Sequence, residues 1–224
     1  MEKVKTGIPG LDEIIGGGIP ENDLVLLSGV CGAGKTIFSL QFLCSEGKDT
    51  GIYVSFEDEI QQLKSTAGMF KLDVEKLEKS RKLKLLKYDP FKLEDIIEMI
   101  ENNIRTMKAK RVVIDSISAL GLFVKDAADL RRMILQMITM LRKNNCTSIL
   151  VSEILSGRDS LSRFHVEEFV SDGVILLRNI FIADEYRRGI TIWKMRTNHS
   201  RKVHPYRITN RGIVVYPKDA LTIK

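Results

Sequence analysis

The stretch of sequence that decides the fold is Gly29-Val30-Cys31-Gly32-Ala33-Gly34-Lys35-Thr36. It fits the pattern GxxxxGKT, in which glycines allow successive backbone N–H groups to turn inward around an anion. In this pattern Lys35 brings a positive charge to the terminal phosphates, and the Thr36 hydroxyl is a ligand for Mg²⁺. We therefore predict that residues 29–37, which include Ile37 in the next helix, bind the phosphates of a nucleotide.

The sequence on both sides of this loop agrees with that prediction. Leu24-Val25-Leu26-Leu27 is a short apolar run typical of a buried strand, and residues 37–43 are predicted to form a helix whose N-terminus faces the phosphates. A glycine-rich turn that arose by chance is the alternative, and it explains neither flanking element.

Length and composition favour one domain. The chain has 224 residues, and no Pro/Gly/Ser-rich linker, repeat or low-complexity tract divides it, so we expect residues 1–224 to form a single domain. No apolar run is long enough for a signal peptide or a membrane span, which predicts a cytoplasmic protein with no membrane partner. The three cysteines, Cys31, Cys44 and Cys146, lack metal-ligand spacing and fit a reducing compartment. Cys31, inside the loop, is either a small filler or a thiol whose oxidation blocks nucleotide binding.

The chain is basic. Its net charge of +6 and pI near 9.2 mildly favour polyanionic partners, either nucleotide or nucleic acid. The densest basic segments, residues 76–87 and 201–211, lack the interleaved aromatic residues of a base-stacking surface. Binding of nucleic acid therefore remains open on composition alone.

Carboxylates follow two predicted strands, where open α/β sheets place their chemistry. The strand at residues 51–56 is followed by Glu57 and Asp58, and the strand at residues 111–115 ends in Asp115. Asp115 is expected to orient a Mg²⁺-bound water beside Thr36. Many proteins with this loop carry the acid that activates the attacking water directly after the acid that serves the metal. Here Ser116 follows Asp115, so the base must lie elsewhere. We predict Glu57 as this base with Asp58 assisting; the alternative is a solvated pair that caps the following helix.

The rest of the chain alternates between strand and helix patterns. Apolar runs predict strands at residues 82–88 and 146–152, and a 3.6-residue period predicts helices within 59–80, 93–107 and 130–141. Residues 153–166 are predicted to form a long, polar, mobile loop. From residue 171 the pattern changes to short strands joined by turns, at 174–177, 189–195 and 206–215. These patterns indicate an α/β fold with a mostly parallel twisted sheet flanked by helices and a C-terminal antiparallel hairpin extension.

Two cations stand close together near the end of the chain. Lys194 and Arg196 alternate with Trp193 and Met195 in a predicted strand, so both cations are expected on one face. Like charges on one face repel unless an anion lies between them or water covers them. The pair is therefore either part of an anion site or an exposed basic strip.

Six segments together resemble the RecA superfamily, and within it the branch around the clock ATPase KaiC and archaeal KaiC-like proteins. They are TGIPGLDEIIGGGIP, GVCGAGKT, YVSFEDE, VVIDS, HVEEFVSDGVILL and WKMRTNHS, and in this order they span nearly the whole chain.

The resemblance implies a RecA-type P-loop core that binds ATP and Mg²⁺ between the subunits of a hexameric ring and hydrolyses ATP slowly. It places the general base at Glu57, with Asp58 beside it. It makes Lys194 and Arg196 the charge-neutralising pair for the adjacent subunit's γ-phosphate. It also assigns His199 and Arg201 contacts to that nucleotide's ribose or base.

The sequence departs from the family pattern at two positions. Relatives usually carry a glycine after the arginine, as in KMRGT, whereas Thr197 follows Arg196 here. The autophosphorylating half of the clock protein carries a Ser-Thr pair where this chain has Glu168-Phe169. We therefore expect no clock-type autophosphorylation.

Three functions compete. The first is a slow ATPase ring that self-associates and acts on an unknown protein partner in regulation or signalling. The second is a RadA-paralog ATPase that binds single-stranded DNA through residues 153–166, with Arg158 and Arg163 on the phosphates. The third is an adaptor that senses nucleotide without turnover.

Overall fold

The structure is a computed structural model that describes residues 2–45, 49–89, 93–155 and 160–222. Its strands in chain order are β1 (Lys3–Val4), β2 (Ile19–Pro20), β3 (Leu24–Gly29), β4 (Gly51–Ser55), β5 (Leu83–Lys87), β6 (Arg111–Asp115), β7 (Thr147–Glu153), β8 (Gly173–Ile182), β9 (Glu185–Lys194), β10 (Val203–Thr209) and β11 (Gly212–Val215). Its helices are α1 (Leu11–Ile14), α2 (Lys35–Cys44), α3 (Ile60–Met69), α4 (Val74–Lys79), α5 (Leu93–Met107), α6 (Ile117–Gly121), α7 (Ala127–Lys143) and α8 (Glu167–Val170). None of the helices in these ranges combines the length and apolar composition that a bilayer span requires.

One large sheet places the predicted site residues. Its strand order is β11-β10-β9-β8-β3-β7-β6-β4-β5, parallel from β8 to β5 and antiparallel from β8 to β11. The prediction of a mostly parallel α/β sheet with a C-terminal antiparallel extension is confirmed. Because the parallel strands end at one edge of the sheet, the loop after β3 lies at the same edge as Glu57 and Asp115, which follow or end β4 and β6.

The central strand β3 divides the core into two layers. Every residue of β3 is buried, and its side chains alternate between the faces. Val25 and Leu27 pack in the layer that contains Phe38 of α2, whereas Leu24 and Leu26 pack in the layer built by α5 and α7. A strand buried on both faces explains why the sequence before the loop is continuously apolar.

The end of β9 departs from the predicted strand. Val174 pairs with Lys194 but Ile175 pairs with Ile192, so Trp193 is the extra residue of a β-bulge, and it is 57% exposed. A bulge breaks the alternation of side chains, and β9 ends at Lys194. The prediction that Lys194 and Arg196 alternate on one strand face is therefore wrong, because Arg196 lies beyond the strand.

The N-terminal segment fixes the residues that follow β9. The Thr197 hydroxyl donates to the carbonyl of Ile15 at 2.8 Å, and the N–H of Ser200 donates to the carbonyl of Ile14 at 2.8 Å. Gly16 has φ +72°, and a Cβ there would lie 2.4 Å from the carbonyl oxygen of Asn198. Only glycine allows this close approach. The segment with Arg196 is thus packed against α1.

Candidate nucleotide site

The loop after β3 has the backbone that its glycines predict. Gly32 and Gly34 have φ of +74° and +95°, in the left-handed region that favours glycine. A Cβ added at Gly32 would meet nothing within 4 Å, so this side of the loop is open. The Nζ of Lys35 donates to the carbonyls of Gly29 and Val30 at 3.0 and 3.2 Å. The lysine therefore lies over the loop that it is predicted to serve.

The remaining loop residues have distinct environments. Ala33 is buried, Val30 packs partly against the core, and Thr36 and Ile37 are half-buried in the first turn of α2. Cys31 is exposed and free. The structure thus places the thiol of Cys31 on the accessible side of the loop.

Three carboxylates gather near this loop. Asp115 pairs with Ser55 in the β4–β6 ladder, which brings it next to Glu57 and Asp58. The pKa of Asp115 is raised to about 6, chiefly by burial and also by Glu57 and Asp58, while the Tyr53 hydroxyl and Lys35 oppose the rise. The cluster has more negative than positive charge, so an added cation would stabilise its ionised form.

Tyr53 connects the two predicted metal ligands, and we did not predict it from the sequence. It is fully buried on β4, its hydroxyl donates to Asp115 Oδ2, and it shares a hydrogen bond with Thr36. Burial, followed by the charge of Asp115, raises the pKa of Tyr53 well above its ordinary value. A signal was present, because a buried tyrosine in an aliphatic strand needs a partner for its hydroxyl.

Ser116 holds the predicted base. Its hydroxyl donates to Glu57 Oε1 at 2.6 Å and accepts from the N–H of Ala119 at 3.2 Å as the N-cap of α6. The alternative role for Glu57 and Asp58, capping the next helix, does not fit, because α3 is capped by Glu59 with Gln62. Glu57 is itself exposed, so its carboxylate is oriented by Ser116 and open to solvent.

Lys194 and Arg196 lie at the opposite end of the parallel strands from the loop. The Nζ of Lys194 donates to the carbonyl of Ser171 at 2.6 Å, close to the start of β8. Arg196 contacts Asp172 at 2.6 Å and Asp23 at 3.6 Å, and these acids immediately precede β8 and β3. The structure therefore does not bring these cations together with the nucleotide loop of the same chain.

His199 and Arg201 lie at this same distal end. The Nδ1 of His199 is 2.8 Å from the carbonyl oxygen of Thr197, and its side chain is half-exposed. Arg201 is exposed, and it comes shortly before β10 begins. Both residues are thus remote from their own loop, as Arg196 is.

The segment at residues 153–166 is only partly as predicted. Arg158 lies outside the described residues, and Arg163 is half-exposed. From residue 160 the chain wraps around the buried carboxylate of Glu167, which accepts from the hydroxyls of Ser152 and Ser162 at 3.0 and 2.7 Å. The expectation of a mobile loop therefore does not fit residues 160–166, because a buried acid binds them.

A basic cavity of about 1050 Å³ lies beside the loop. Pro205 has no N–H and is the last residue of β10 paired with β9, so the two strands diverge beyond it. The cavity between them is lined by residues that include Tyr186, Arg187, Arg188, Arg207, Tyr216 and Lys218. The hydroxyl of Tyr206, also in its wall, donates to the carbonyl of Ala33 at 2.7 Å, which connects the cavity to the loop.

The residues of the loop edge fit a magnesium nucleotide. The open, glycine-lined loop suits phosphates, and the surplus of carboxylates around Asp115 suits a divalent cation. Within the described ranges no cluster of three or more His, Cys, Asp or Glu has the arrangement of a metal site. Mg²⁺ takes few protein ligands and relies on phosphates and water for the others, and Thr36 and Asp115 are the residues that would hold it.

Comparisons with known proteins identify the family of this chain. The family described as "ATPase: KaiC" matches residues 4–220. A UPF0273 protein of Pyrococcus furiosus is 41% identical over 241 residues, covering 99% of this chain and 96% of that protein. The circadian clock oscillator protein KaiC of Parathermosynechococcus lividus is 36% identical over 237 residues, covering all of this chain but only 44% of the clock protein. A solved structure, a KaiC-like protein from the hyperthermophilic archaeon Pyrococcus horikoshii OT3, matches with a TM-score of 0.89 and 37% identity over 96% of this chain and 99% of that one. The chain therefore belongs to the KaiC family of ATPases.

Proposed function

We propose that this protein is a slow, Mg²⁺-dependent ATPase of the cytoplasm that forms a single-domain homo-hexameric ring with ATP between adjacent subunits, and that its nucleotide state regulates a protein partner. One observation carries this proposal: the predicted charge-neutralising residues and the nucleotide loop lie at opposite ends of the same strands. Each chain then contributes its loop to one nucleotide site and its two cations to another.

The separation is too long for a side chain to span. Asp23, which contacts Arg196, precedes β3, and the loop follows β3. At ~3.3 Å per residue, the six residues of β3 place these ends about 20 Å apart. Lys194 and Arg196 therefore serve a nucleotide only if a second copy presents its loop to them. Such a head-to-tail contact between copies generates a ring when the rotation between them closes and a filament when it does not, and the proposal is the closed ring.

Within the shared site each residue has a defined task. The N–H groups of residues 29–36 and the ammonium of Lys35 hold the phosphates, and Glu57, oriented by Ser116, accepts a proton from the attacking water. Thr36 and Asp115 are the residues that would hold Mg²⁺, which when bound would offset the negative charge of the phosphates. Lys194 and Arg196 of the adjacent copy stabilise charge in the transition state, and its His199 and Arg201 contact the ribose or base.

Complementation in mixed rings tests the proposal. Glu57→Gln should bind ATP but lack the base, and Arg196→Ala should lack only the charge-neutralising group. Each variant alone is expected to keep a residual turnover at least roughly 100-fold below wild type, whereas a 1:1 mixture regains about a quarter of wild-type activity, because one interface in four combines an intact base with an intact arginine. Light scattering with Mg²⁺ and ATP measures the ring size.

Three outcomes contradict this proposal. The first is a protein that stays monomeric at saturating Mg²⁺ and ATP. The second is full activity of Arg196→Ala alone. The third is a mixture that forms mixed rings yet remains inactive. Background hydrolysis by an assembled wild-type ring would instead favour the nucleotide-sensing adaptor.

The proposal excludes clock-type autophosphorylation. At the position of the Ser-Thr pair, Glu168 is buried and Phe169 is 69% exposed, so this doublet offers no hydroxyl. Incubation with γ-³²P-labelled ATP is expected to leave the protein unlabelled, and stable label on the chain would contradict the proposal.

A second candidate function, binding of single-stranded nucleic acid, has support from the basic cavity rather than from residues 153–166. Arg188 and Lys218 have no ion pair within the described ranges, and the exposed ring of Tyr186 lies 5.1 Å from that of Phe181. Free cations beside exposed aromatic rings are what phosphates and unstacked bases require.

Fluorescence anisotropy with a labelled oligothymidylate tests this candidate. Affinity should fall steeply with salt and drop roughly tenfold in Arg188→Glu, with Lys76→Glu on the exposed face of α4 as the matched control. No binding at low salt, or equal losses in both variants, removes this candidate.

A further inference from the structure

Arg196 is anchored on two acidic residues at the end of the sheet opposite to the loop. Its Nη2 lies 2.6 Å from Asp172 Oδ1, and its Nη1 lies 3.6 Å from Asp23 Oδ1. The side chains of Asp172 and Asp23, here called the acid pair, are 2% and 7% exposed, whereas that of Arg196 is 55% exposed. Arg196 is thus held from inside the subunit while its outer face is free to meet a ligand.

Asp172 is fixed independently of Arg196. Arg142 of α7 donates to both of its carboxylate oxygens at 2.6 and 2.8 Å, and the N–H of Leu24 donates to Oδ2 at 2.9 Å. Charge-assisted hydrogen bonds to both oxygens fix the plane of the carboxylate. The oxygen that contacts Arg196 therefore has a defined position.

The acid pair lies directly before two neighbouring buried strands of the sheet. Asp23 and Asp172 immediately precede β3 and β8, which pair in parallel, and the N–H of Asp172 donates to the carbonyl of Leu24 at 2.9 Å. A group built on buried strands is located more accurately than one on an exposed loop. The anchor of Arg196 is consequently rigid even though Arg196 itself lies beyond β9.

Asp23 is the second acid that contacts Arg196. Its Oδ2 is buried and has no hydrogen-bond partner in the described part of the chain. Burial, and then the neighbouring Asp172, raise the pKa of Asp23 to about 6, against the effects of Arg196 and Arg142. Two buried acids need nearby cations, and loss of Arg196 would leave Asp172 with its contact to Arg142 and Asp23 without its ion pair among the described residues.

We infer that Asp172, assisted by Asp23, is a positioning residue that orients the Arg196 guanidinium toward the nucleotide of the adjacent subunit. This inference rests on the proposed function, because Asp172 acts on hydrolysis only through Arg196. It explains why an exposed arginine beyond a bulged strand end is attached to a buried carboxylate with three other hydrogen bonds.

Asp172→Asn tests the inference, because the amide keeps the shape of the side chain and removes the charge that holds Arg196. The kcat for ATP hydrolysis is expected to fall roughly 10- to 100-fold, with KM for ATP changed less than about threefold. Asp129→Asn is the matched control, since Asp129 is a surface acid of α7 that pairs with Arg132 at 2.9 Å. It should leave kcat unchanged.

A double-mutant cycle separates positioning from a merely structural role. In the Arg196→Ala background, Asp172→Asn should lower kcat no further, because its effect passes through the missing arginine. In mixed rings with Glu57→Gln, Asp172→Asn should regain activity as Arg196→Ala does. Additive losses of kcat, or failure to regain activity in confirmed mixed rings, would overturn the inference.

The outcomes also separate this inference from the proposed function. Wild-type turnover in Arg196→Ala defeats the proposed function, whereas a strongly reduced turnover in Arg196→Ala beside a fully active Asp172→Asn defeats only the positioning role. Should Asp172→Asn not fold, Asp23→Asn keeps the Arg142–Asp172 pair and takes its place. It should lower kcat by roughly threefold and non-additively with Arg196→Ala, and additive losses there would equally overturn the inference.

Discussion

The two ends of the parallel strands differ in how their charges are balanced. At the end that carries the nucleotide loop, the three carboxylates of Glu57, Asp58 and Asp115 have two cations close by among the described residues: Lys35, and Lys87, whose Nζ donates to the carbonyl of Glu57 at 2.7 Å. At the distal end, Asp23 and Asp172 contact two arginines, Arg142 and Arg196. The first end is short of positive charge and the second is not.

The difference supports the proposal that the loop end receives the magnesium nucleotide. A surplus of carboxylates beside an open loop of backbone N–H groups becomes balanced when a cation arrives together with phosphates. The distal end is stable by itself, so its exposed arginine is available to another molecule without being needed by one. A substitution at the first end should therefore change ligand binding, and one at the second should change turnover or stability.

The largest expected effect is that of Lys35→Ala. It removes the cation nearest to the loop and to Asp115, so affinity for ATP with Mg²⁺ should fall at least roughly 1000-fold. Isothermal titration calorimetry on dilute protein measures this, with Lys76→Ala as the control for loss of an exposed lysine. Arg196→Ala should retain affinity within about threefold under these conditions. Equal losses of ATP affinity in Lys35→Ala and Arg196→Ala would contradict the expected difference in ligand binding between the two ends.

Glu57→Gln is expected to have the next largest effect. The amide accepts no proton from water, so turnover should fall roughly 100- to 1000-fold while ATP affinity stays within about twofold. Ser116→Ala should lower turnover about tenfold, because Glu57 then loses the hydroxyl that orients it. Steady-state phosphate release measures both, and full activity of Glu57→Gln would show that the base lies elsewhere.

Tyr53→Phe tests whether the buried Tyr53 hydroxyl affects the Mg²⁺ requirement at the loop end. It removes the hydroxyl shared by Asp115 and Thr36 but keeps the buried ring. The Mg²⁺ concentration for half-maximal activity should rise about tenfold, because hydrogen bonds to metal ligands fix their orientation. Titrating Mg²⁺ at saturating ATP checks this, and thermal melts without Mg²⁺ confirm the fold. An unchanged Mg²⁺ requirement would show that Tyr53 only fills the core.

Asp23→Asn should produce the smallest effect, which is a change in the free energy of unfolding. The folded-state pKa of Asp23 is about 6, above the ordinary 3.8, so its contribution to stability is full below about pH 4 and is lost as pH rises through 6. The variant should therefore be more stable than wild type at pH 7.5 by roughly 1 to 2 kcal/mol, and nearly equal to it at pH 4. Urea unfolding at both values measures the difference, and a gain that is independent of pH would contradict the charge assignment.

The loop end was largely predictable from the sequence because its signals are local. The loop follows a buried strand directly, and Asp115 and Glu57 lie at or just after strand ends, so short patterns suffice to place them at one edge of a parallel sheet. Tyr53 and Ser116 escaped prediction because their roles depend on which strands are neighbours. Strand order is set by packing and does not appear in any short pattern.

The distal end was less predictable because its contacts join residues far apart in the chain. Arg196, Asp172, Asp23 and Arg142 come from four separate segments of the chain, and each alone looks like an ordinary charged residue near an element end. The alternation predicted for Lys194 and Arg196 was wrong because a one-residue bulge at Trp193 leaves no clear mark in a period-two pattern.

The bulge at the end of β9 also has an experimental consequence. It turns the chain's single indole outward, immediately before Lys194 and on the side where a second copy would dock. Emission from that ring should shift to shorter wavelength when protein replaces water around it. Assembly can then be followed in real time with unlabelled protein, and the native chain serves as its own optical probe.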